Sequence, residues 1–153
     1  MDRDKLLYKL KEFYTLEVYQ LGLYKSQLKA LEEPHIRKAY ELLVMREQEH
    51  VDFFAQKISE YNETPSVIID SAFDAAGFIT GKALDLLCLK DRYKLGMAVE
   101  NKAVDMYEVF IQMASNDPEL SDLANRLWYH LVDEEFHQYW FKEHLSRIIA
   151  NET

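Results

Sequence analysis

Cysteine, proline and glycine are scarce in this chain, and no long uncharged apolar run occurs. One cysteine cannot form a disulfide within the chain, nor can it supply the paired cysteines of a zinc or rubredoxin-type iron site. Three prolines and four glycines leave few breaks in the periodic segments. Basic residues are the minority, 18 against 27 acidic residues, and the net charge of −9 argues against nucleic acid as a partner. Without about 18 consecutive apolar residues, no membrane-spanning helix is expected.

The composition that remains is that of a globular protein. The 153 residues, of which 48% are hydrophobic, suffice for one domain with a buried core and are too few for two. We therefore expect a single domain over residues 1–153 in a soluble, cytoplasmic protein.

The three prolines divide the chain into helical segments. Each proline stands where a helix can begin, because its missing N–H is tolerated in the first helical turn. β-branched residues are sparse and no hairpin dipeptide occurs, so strands are not expected. The sequence predicts an all-α bundle of four long helices, with an extra helical segment between helices two and three. The periodic stretches are residues 3–32, 34–61, 66–115 (with a break near Lys90–Asp91) and 118–150.

Each of the four long helices has an apolar seam, a stripe of residues spaced three and four apart that is typical of helix bundles. In the middle of each seam a glutamate takes the place of an apolar residue. Two histidines share this layer, each three residues after a glutamate. An ionised carboxylate inside a bundle costs several kcal/mol unless it is compensated, and no seam offers a lysine or arginine close by. The residues of the layer are Glu17, Glu47, His50, Glu100, Glu134 and His137.

Two divalent cations would compensate these carboxylates. The spacing Glu-x-x-His places both side chains on one helix face, so they can bind the same ion or adjacent ions. Mixed carboxylate and imidazole ligands suit iron or manganese better than a structural zinc, and a mixed pair of ions is equally compatible. A third Glu-x-x-His, at Glu32–His35, straddles Pro34 and lies on no seam. The alternative is a layer of buried polar residues that only sets the helix register.

The six residues resemble the ligand set of ferritin-like di-iron and di-manganese carboxylate proteins, in which two helices supply one Glu each and two supply Glu-x-x-His. Within that superfamily the chain, from about Phe13 to His144, resembles the demethoxyubiquinone hydroxylase family of quinone-biosynthetic monooxygenases. Three segments carry the likeness. They are the Glu-x-x-His at Glu47–His50, which begins 30 residues after Glu17, the linker TPSVIIDSAFDAAGFITGKALDLLCLKD (64–91), and AVENKAVDMY (98–107).

The resemblance implies a di-iron site at which O2 is reduced and an aromatic ring is hydroxylated. It also implies that the glutamates of the two Glu-x-x-His motifs bridge the irons. The other two glutamates would be terminal ligands, and each histidine would hold one iron.

Three neighbouring residues are candidates for a supporting role. Asp133 resembles the Asp of an Asp-Glu-x-x-His motif, where it holds a histidine ligand; otherwise it is a surface acid. His130, one turn before Glu134, could be an extra ligand, a proton shuttle or a hydrogen-bonded core histidine. Tyr107, two turns after Glu100, could relay electrons or donate a hydrogen bond to a carboxylate.

The segment 67–89 has more apolar residues than a linker needs. In the family that it resembles, the equivalent region helps to form a hydrophobic substrate entrance at the membrane surface, which would make the protein peripheral to a membrane. The alternative is a cover for the bundle or a dimer face, which the three acids within the segment favour.

Two catalytic functions compete with a non-enzymatic one. The first is an oxygenase that uses O2 and an external electron donor to hydroxylate a quinone-like or other apolar aromatic substrate. The second is a rubrerythrin-like or ferritin-like protein that consumes peroxide or acts as a ferroxidase without an organic substrate. The third is a helical interaction module with a structural polar layer. A homo-oligomer is expected in each case.

Overall fold

The computed structural model describes residues 1–68 and 87–151. Within these two ranges the regular structure is helical and no strand occurs, as the sparse β-branched residues predict. The four helices are α1 (Arg3–Leu28), α2 (Pro34–Glu60), α3 (Leu89–Ser115) and α4 (Ser121–Asn151), with a short 3-10 turn at Pro118–Leu120.

The chain divides into two compact units, one built on α1 and α2 and the other on α3 and α4. In the first unit α1 packs along α2. The carboxylate of Glu33 accepts hydrogen bonds from the backbone N–H groups of His35 (3.1 Å) and Ile36 (2.6 Å), which caps α2 directly before Pro34. Glu33 has the extended backbone of an N-cap, and α1 ends at Leu28, so the predicted helix over residues 3–32 is too long.

In the second unit α3 packs along α4. α3 begins at Leu89, within one residue of the predicted break near Lys90–Asp91. The predicted start of the fourth helix at Pro118 is instead a 3-10 turn, capped by the Asp117 carboxylate, which accepts from the N–H of Glu119 at 3.1 Å. The α-helical hydrogen bonding begins only at Ser121.

The buried residues follow the predicted seams in α4 and extend beyond one seam in α1. On α4 every residue of the seam between its two ends is buried, namely Leu123, Leu127, His130, Glu134, His137, Phe141 and Leu145. On α1, buried residues lie on more than one face, and several of them are polar. The seam alone therefore underestimates how much of α1 is removed from water. The buried polar or charged residues of α1 are Glu12, Thr15, Glu17, Gln20 and Gln27.

Two predictions concern the stretch between α2 and α3. The extra helical segment falls on residues 69–86, which lie outside the described residues, as does most of the apolar segment 67–89. Of the described part, the backbone N–H of Ile68 donates to the hydroxyl of Thr15 at 2.9 Å, which attaches this end of the stretch to α1. No helix within residues 1–68 and 87–151 is both long and apolar enough to cross a membrane.

We predict that Gly96→Ala destabilises the protein, whereas Gly22→Ala does not. A Cβ at Gly96 would lie 2.6 Å from Cζ of the fully buried Phe141, so the ring would have to move, at a cost of about 1–3 kcal/mol. A Cβ at Gly22, also within a helix, has no heavy atom within 4 Å, and alanine there should stabilise by about 0.5–1 kcal/mol. Urea denaturation of both variants tests this, and equal midpoints would contradict the close packing at Gly96.

Candidate metal centre

The first unit brings three of the predicted ligands together, and we call this group the first half-site. Glu17 comes from α1, and Glu47 and His50 come from α2. Nδ1 of His50 lies 3.3 Å from Oε2 of Glu17 and 3.6 Å from Oε2 of Glu47. Both carboxylates are completely removed from water, and His50 is buried.

The second unit repeats this arrangement in the second half-site. Glu100 comes from α3, and Glu134 and His137 come from α4. Nδ1 of His137 lies 3.8 Å from Oε2 of Glu100 and 3.9 Å from Oε2 of Glu134. These two glutamates are also completely buried. In each helix pair, a glutamate of the first helix and the Glu-x-x-His of the second therefore come together in a similar side-chain arrangement.

The distances within each half-site bring its ligand atoms near the spacing of a metal site. Two ligand atoms that bind one ion with bonds of about 2.1 Å lie roughly 3.0–3.4 Å apart. The distance from His50 to Glu17, 3.3 Å, lies within that range, and the other three distances from a histidine nitrogen to a carboxylate, 3.6, 3.8 and 3.9 Å, are longer. The ligand atoms of each half-site all lie within 4.8 Å of one another. Carboxylate oxygen and imidazole nitrogen are the donors expected for iron or manganese. The chain thus contains two buried carboxylate and histidine metal sites.

On α2 and α4, buried apolar residues of the same seams lie on both sides of the ligand positions. On α2, Leu43 lies one turn before Glu47 and Phe54 one turn after His50, and both are buried. On α4, Leu127 and Phe141 are completely removed from water. A low local dielectric makes an uncompensated charge costly and strengthens its attraction to a cation.

The electrostatics of the second half-site show this cost. Burial raises the pKa of Glu100 well above its ordinary value of 4.5, and the neighbouring carboxylate of Glu134 raises it further. His137 opposes this shift because it favours the ionised carboxylate. Two adjacent carboxylates therefore do not both ionise readily without a cation.

Tyr107 and His130, predicted separately as neighbours of the metal ligands, contact each other. The hydroxyl of Tyr107 lies 3.2 Å from Nδ1 of His130, both side chains are buried, and the two rings meet edge to face. This contact joins α3 to α4 and identifies His130 as a hydrogen-bonded histidine. Asp133 is half-buried on α4, and its predicted role in holding a histidine stays a prediction.

Gln20 is a buried polar residue that the sequence analysis did not single out. It lies one turn after Glu17 on α1 and is completely removed from water. A side-chain amide in this position can donate to a carboxylate or accept from a donor. The signal that could identify it is its i+3 spacing from Glu17, but the apolar Leu21, at i+4, fits the same helix face.

We predict that Glu100→Gln stabilises the metal-free protein at pH 8 and has less effect at pH 5. Because the folded pKa of Glu100 is raised, the metal-free protein loses stability as the pH rises from the ordinary value of 4.5 toward the raised one, and a neutral amide escapes this loss. Urea denaturation with a chelator at both pH values measures the difference. Glu108→Gln, an exposed change on the same helix, should have no such effect. A Glu100→Gln variant less stable than the parent at pH 8 would contradict the prediction.

Solved structures with the same fold come from several proteins. A ferritin-like diiron-carboxylate protein from Bacillus anthracis is 19% identical over 95% of this chain and 99% of its own, with a TM-score of 0.75. Bacterioferritin from Desulfovibrio desulfuricans is 17% identical over 96% of this chain and 81% of its own, with a TM-score of 0.79. YcfI from Rhodopseudomonas palustris is 18% identical over 93% of this chain and 94% of its own, with a TM-score of 0.69. The predicted all-α, ferritin-like four-helix bundle is confirmed.

Sequence comparison identifies the family. No curated protein matches the chain. The family described as "Ubiquinone biosynthesis protein COQ7" matches residues 17–144, a range that begins at Glu17 and includes both half-sites. The predicted likeness to the quinone-biosynthetic hydroxylases is thereby confirmed at the level of the family. This chain belongs to the COQ7 family of ferritin-like diiron-carboxylate proteins.

Proposed function

We propose that the two half-sites together form one dinuclear iron centre in a single domain over residues 1–153. Glu47 and Glu134, the glutamates of the two Glu-x-x-His motifs, would bridge the ions. The other two glutamates would be terminal ligands, and each histidine would bind one ion. Membership of the COQ7 family and the matching geometry of the half-sites support this assignment. Manganese or a mixed pair would use the same ligands.

We propose that this centre makes the protein an oxygenase that hydroxylates a quinone-like or other apolar aromatic substrate. The observation that carries the proposal is the family match, because it spans all six ligand positions. When bound, the iron pair supplies O2 activation. One oxygen atom of O2 enters the ring as a hydroxyl group and the other leaves as water. The balance requires two protons and two electrons, and an external donor must provide the electrons.

The chain's own residues would hold charge, exclude water and position a proton. Four completely buried carboxylates offer fixed negative charge to the cations in an environment without water. The hydroxyl of Tyr107 and Nδ1 of His130 form a hydrogen bond of 3.2 Å, and this pair lies on the same two helices as Glu100 and Glu134. Asp133, next to Glu134, would orient a ligating histidine through its second ring nitrogen.

The second candidate function is consumption of peroxide or oxidation of Fe²⁺ without an organic substrate. The fold shared with a bacterioferritin favours it, since that fold accommodates metal sites of the same ligand type. Both candidates need the same dinuclear centre. The oxygenase and the consumption of peroxide take electrons from an external donor, whereas oxidation of Fe²⁺ takes them from the substrate iron itself. They differ in whether an oxygen atom from O2 reaches an organic molecule.

The distinguishing experiment follows the oxygen atom. We predict that the iron-loaded protein, given a chemical reductant, ¹⁸O2 and an apolar methoxyquinone, forms a product with one added ¹⁸O, detected by mass spectrometry. Glu47→Ala should abolish this product because a bridging ligand is lost. Glu49→Ala removes an exposed glutamate of the same helix that pairs with Arg46 at 2.7 Å, and should leave the product unchanged. Rapid peroxide consumption with no labelled product would instead favour the second candidate function.

A further inference from the structure

The solvent-facing side of α4 has a row of large apolar side chains, which we call the outer stripe. Its members lie at helical spacing on the face opposite to the ligands Glu134 and His137. Phe136 and Tyr129 are each 68% exposed and Tyr139 is 64% exposed. The outer stripe consists of Trp128, Tyr129, Val132, Phe136 and Tyr139.

This much aromatic surface is unusual on an exposed helix. Val132, Phe136 and Tyr139, together with Glu135, line a shallow groove on the stripe. Four aromatic side chains at these exposures present roughly 500 Å² per chain, which is the size of a functional patch rather than of scattered surface residues. If two copies buried it against each other, about 1,000 Å² would be covered, the minimum for a specific interface.

The charges at the two ends of the stripe indicate what covers it. Asp122 and Arg126 lie toward the N-terminal end of α4. Glu143 and Arg147 lie toward its C-terminal end, where they also form an ion pair with each other at 3.2 Å. When two copies of α4 run antiparallel, with the outer stripes in contact, Asp122 of one copy lies opposite Arg147 of the other. Arg126 then lies opposite Glu143. Both pairs are of opposite charge, and each forms twice by symmetry.

A parallel arrangement does not have this complementarity. It would place each charged residue beside its own copy, with Asp122 near Asp122 and Arg147 near Arg147. An anionic membrane surface is also disfavoured, because the groove includes Glu135 and the chain carries a net charge of −9.

We propose that a second copy of this chain docks on the outer stripe, with the two α4 helices antiparallel and packed through Phe136, Tyr129 and Tyr139. Apolar contact provides the affinity, while the pairing of Asp122 with Arg147 selects the antiparallel register. This surface is separate from the ligand face of α4, so the interface and the metal centre can be altered independently.

Charge reversal tests the register. Sedimentation velocity at about 10 µM should show a dimer for the parent chain, and Asp122→Arg or Arg147→Asp alone should weaken it by about tenfold or more, because each places like charges opposite each other. The double variant should restore the dimer. Each substitution places a charge that the helix dipole disfavours, so an effect on folding alone would make the double variant the least stable of the three. Recovery of the dimer in the double variant would therefore show that residues 122 and 147 face each other across the interface.

Two further variants serve as controls. Phe136→Ser removes the centre of the outer stripe and should give a monomer with unchanged helical circular dichroism. Asp105→Arg reverses an exposed charge on α3 and should leave the dimer intact. A parent chain that is monomeric at about 100 µM, or a dimer that none of the stripe variants weakens, would overturn the proposal. Weakening by both single reversals without recovery in the double variant would overturn the antiparallel register.

Discussion

The free-energy cost of burying carboxylates without a compensating charge is the main physical constraint on this structure. Four glutamates are completely removed from water, and at Glu100 burial and the adjacent Glu134 raise the pKa well above its ordinary value. Such a group either keeps its proton or binds a cation. The nearby histidine nitrogens, 3.3–3.9 Å from the carboxylate oxygens, complete a donor set for the second outcome. The stability of the metal-free protein and its affinity for metal are thus set by the same residues.

The two helix pairs contribute equal numbers of candidate metal ligands. Each unit supplies one glutamate from its first helix and Glu-x-x-His from its second. On α4, the face that carries the ligands is buried, whereas the opposite face is aromatic and exposed. The helical period of 3.6 residues explains this division. Residues spaced three and four apart from Glu134 share its face, and the residues between them lie on the opposite face.

The parts of the structure that follow from periodicity could be predicted, and those that depend on contacts between distant residues could not. The α4 seam and the grouping of Glu134 with His137 follow from spacing alone. The Tyr107–His130 contact joins residues 23 apart in sequence, so no local pattern indicates it. The end of α1 at Leu28 has no proline or glycine beside it, so the sequence pattern does not locate it. The burial of Gln20 does not follow from its sequence position, because a polar residue beside a seam is usually exposed and its burial depends on how widely α1 is covered.

The central claim, that the buried glutamates and histidines of the two half-sites bind metal, is tested most directly by iron content per folded chain. Elemental analysis of the iron-loaded protein should give about two ions, with the content halved or lost in His50→Ala and in His137→Ala, one from each half-site. His35→Ala, from the Glu-x-x-His that lies on no seam, should retain both ions. A folded parent chain without iron, or one whose iron survives both ligand substitutions, would contradict the account.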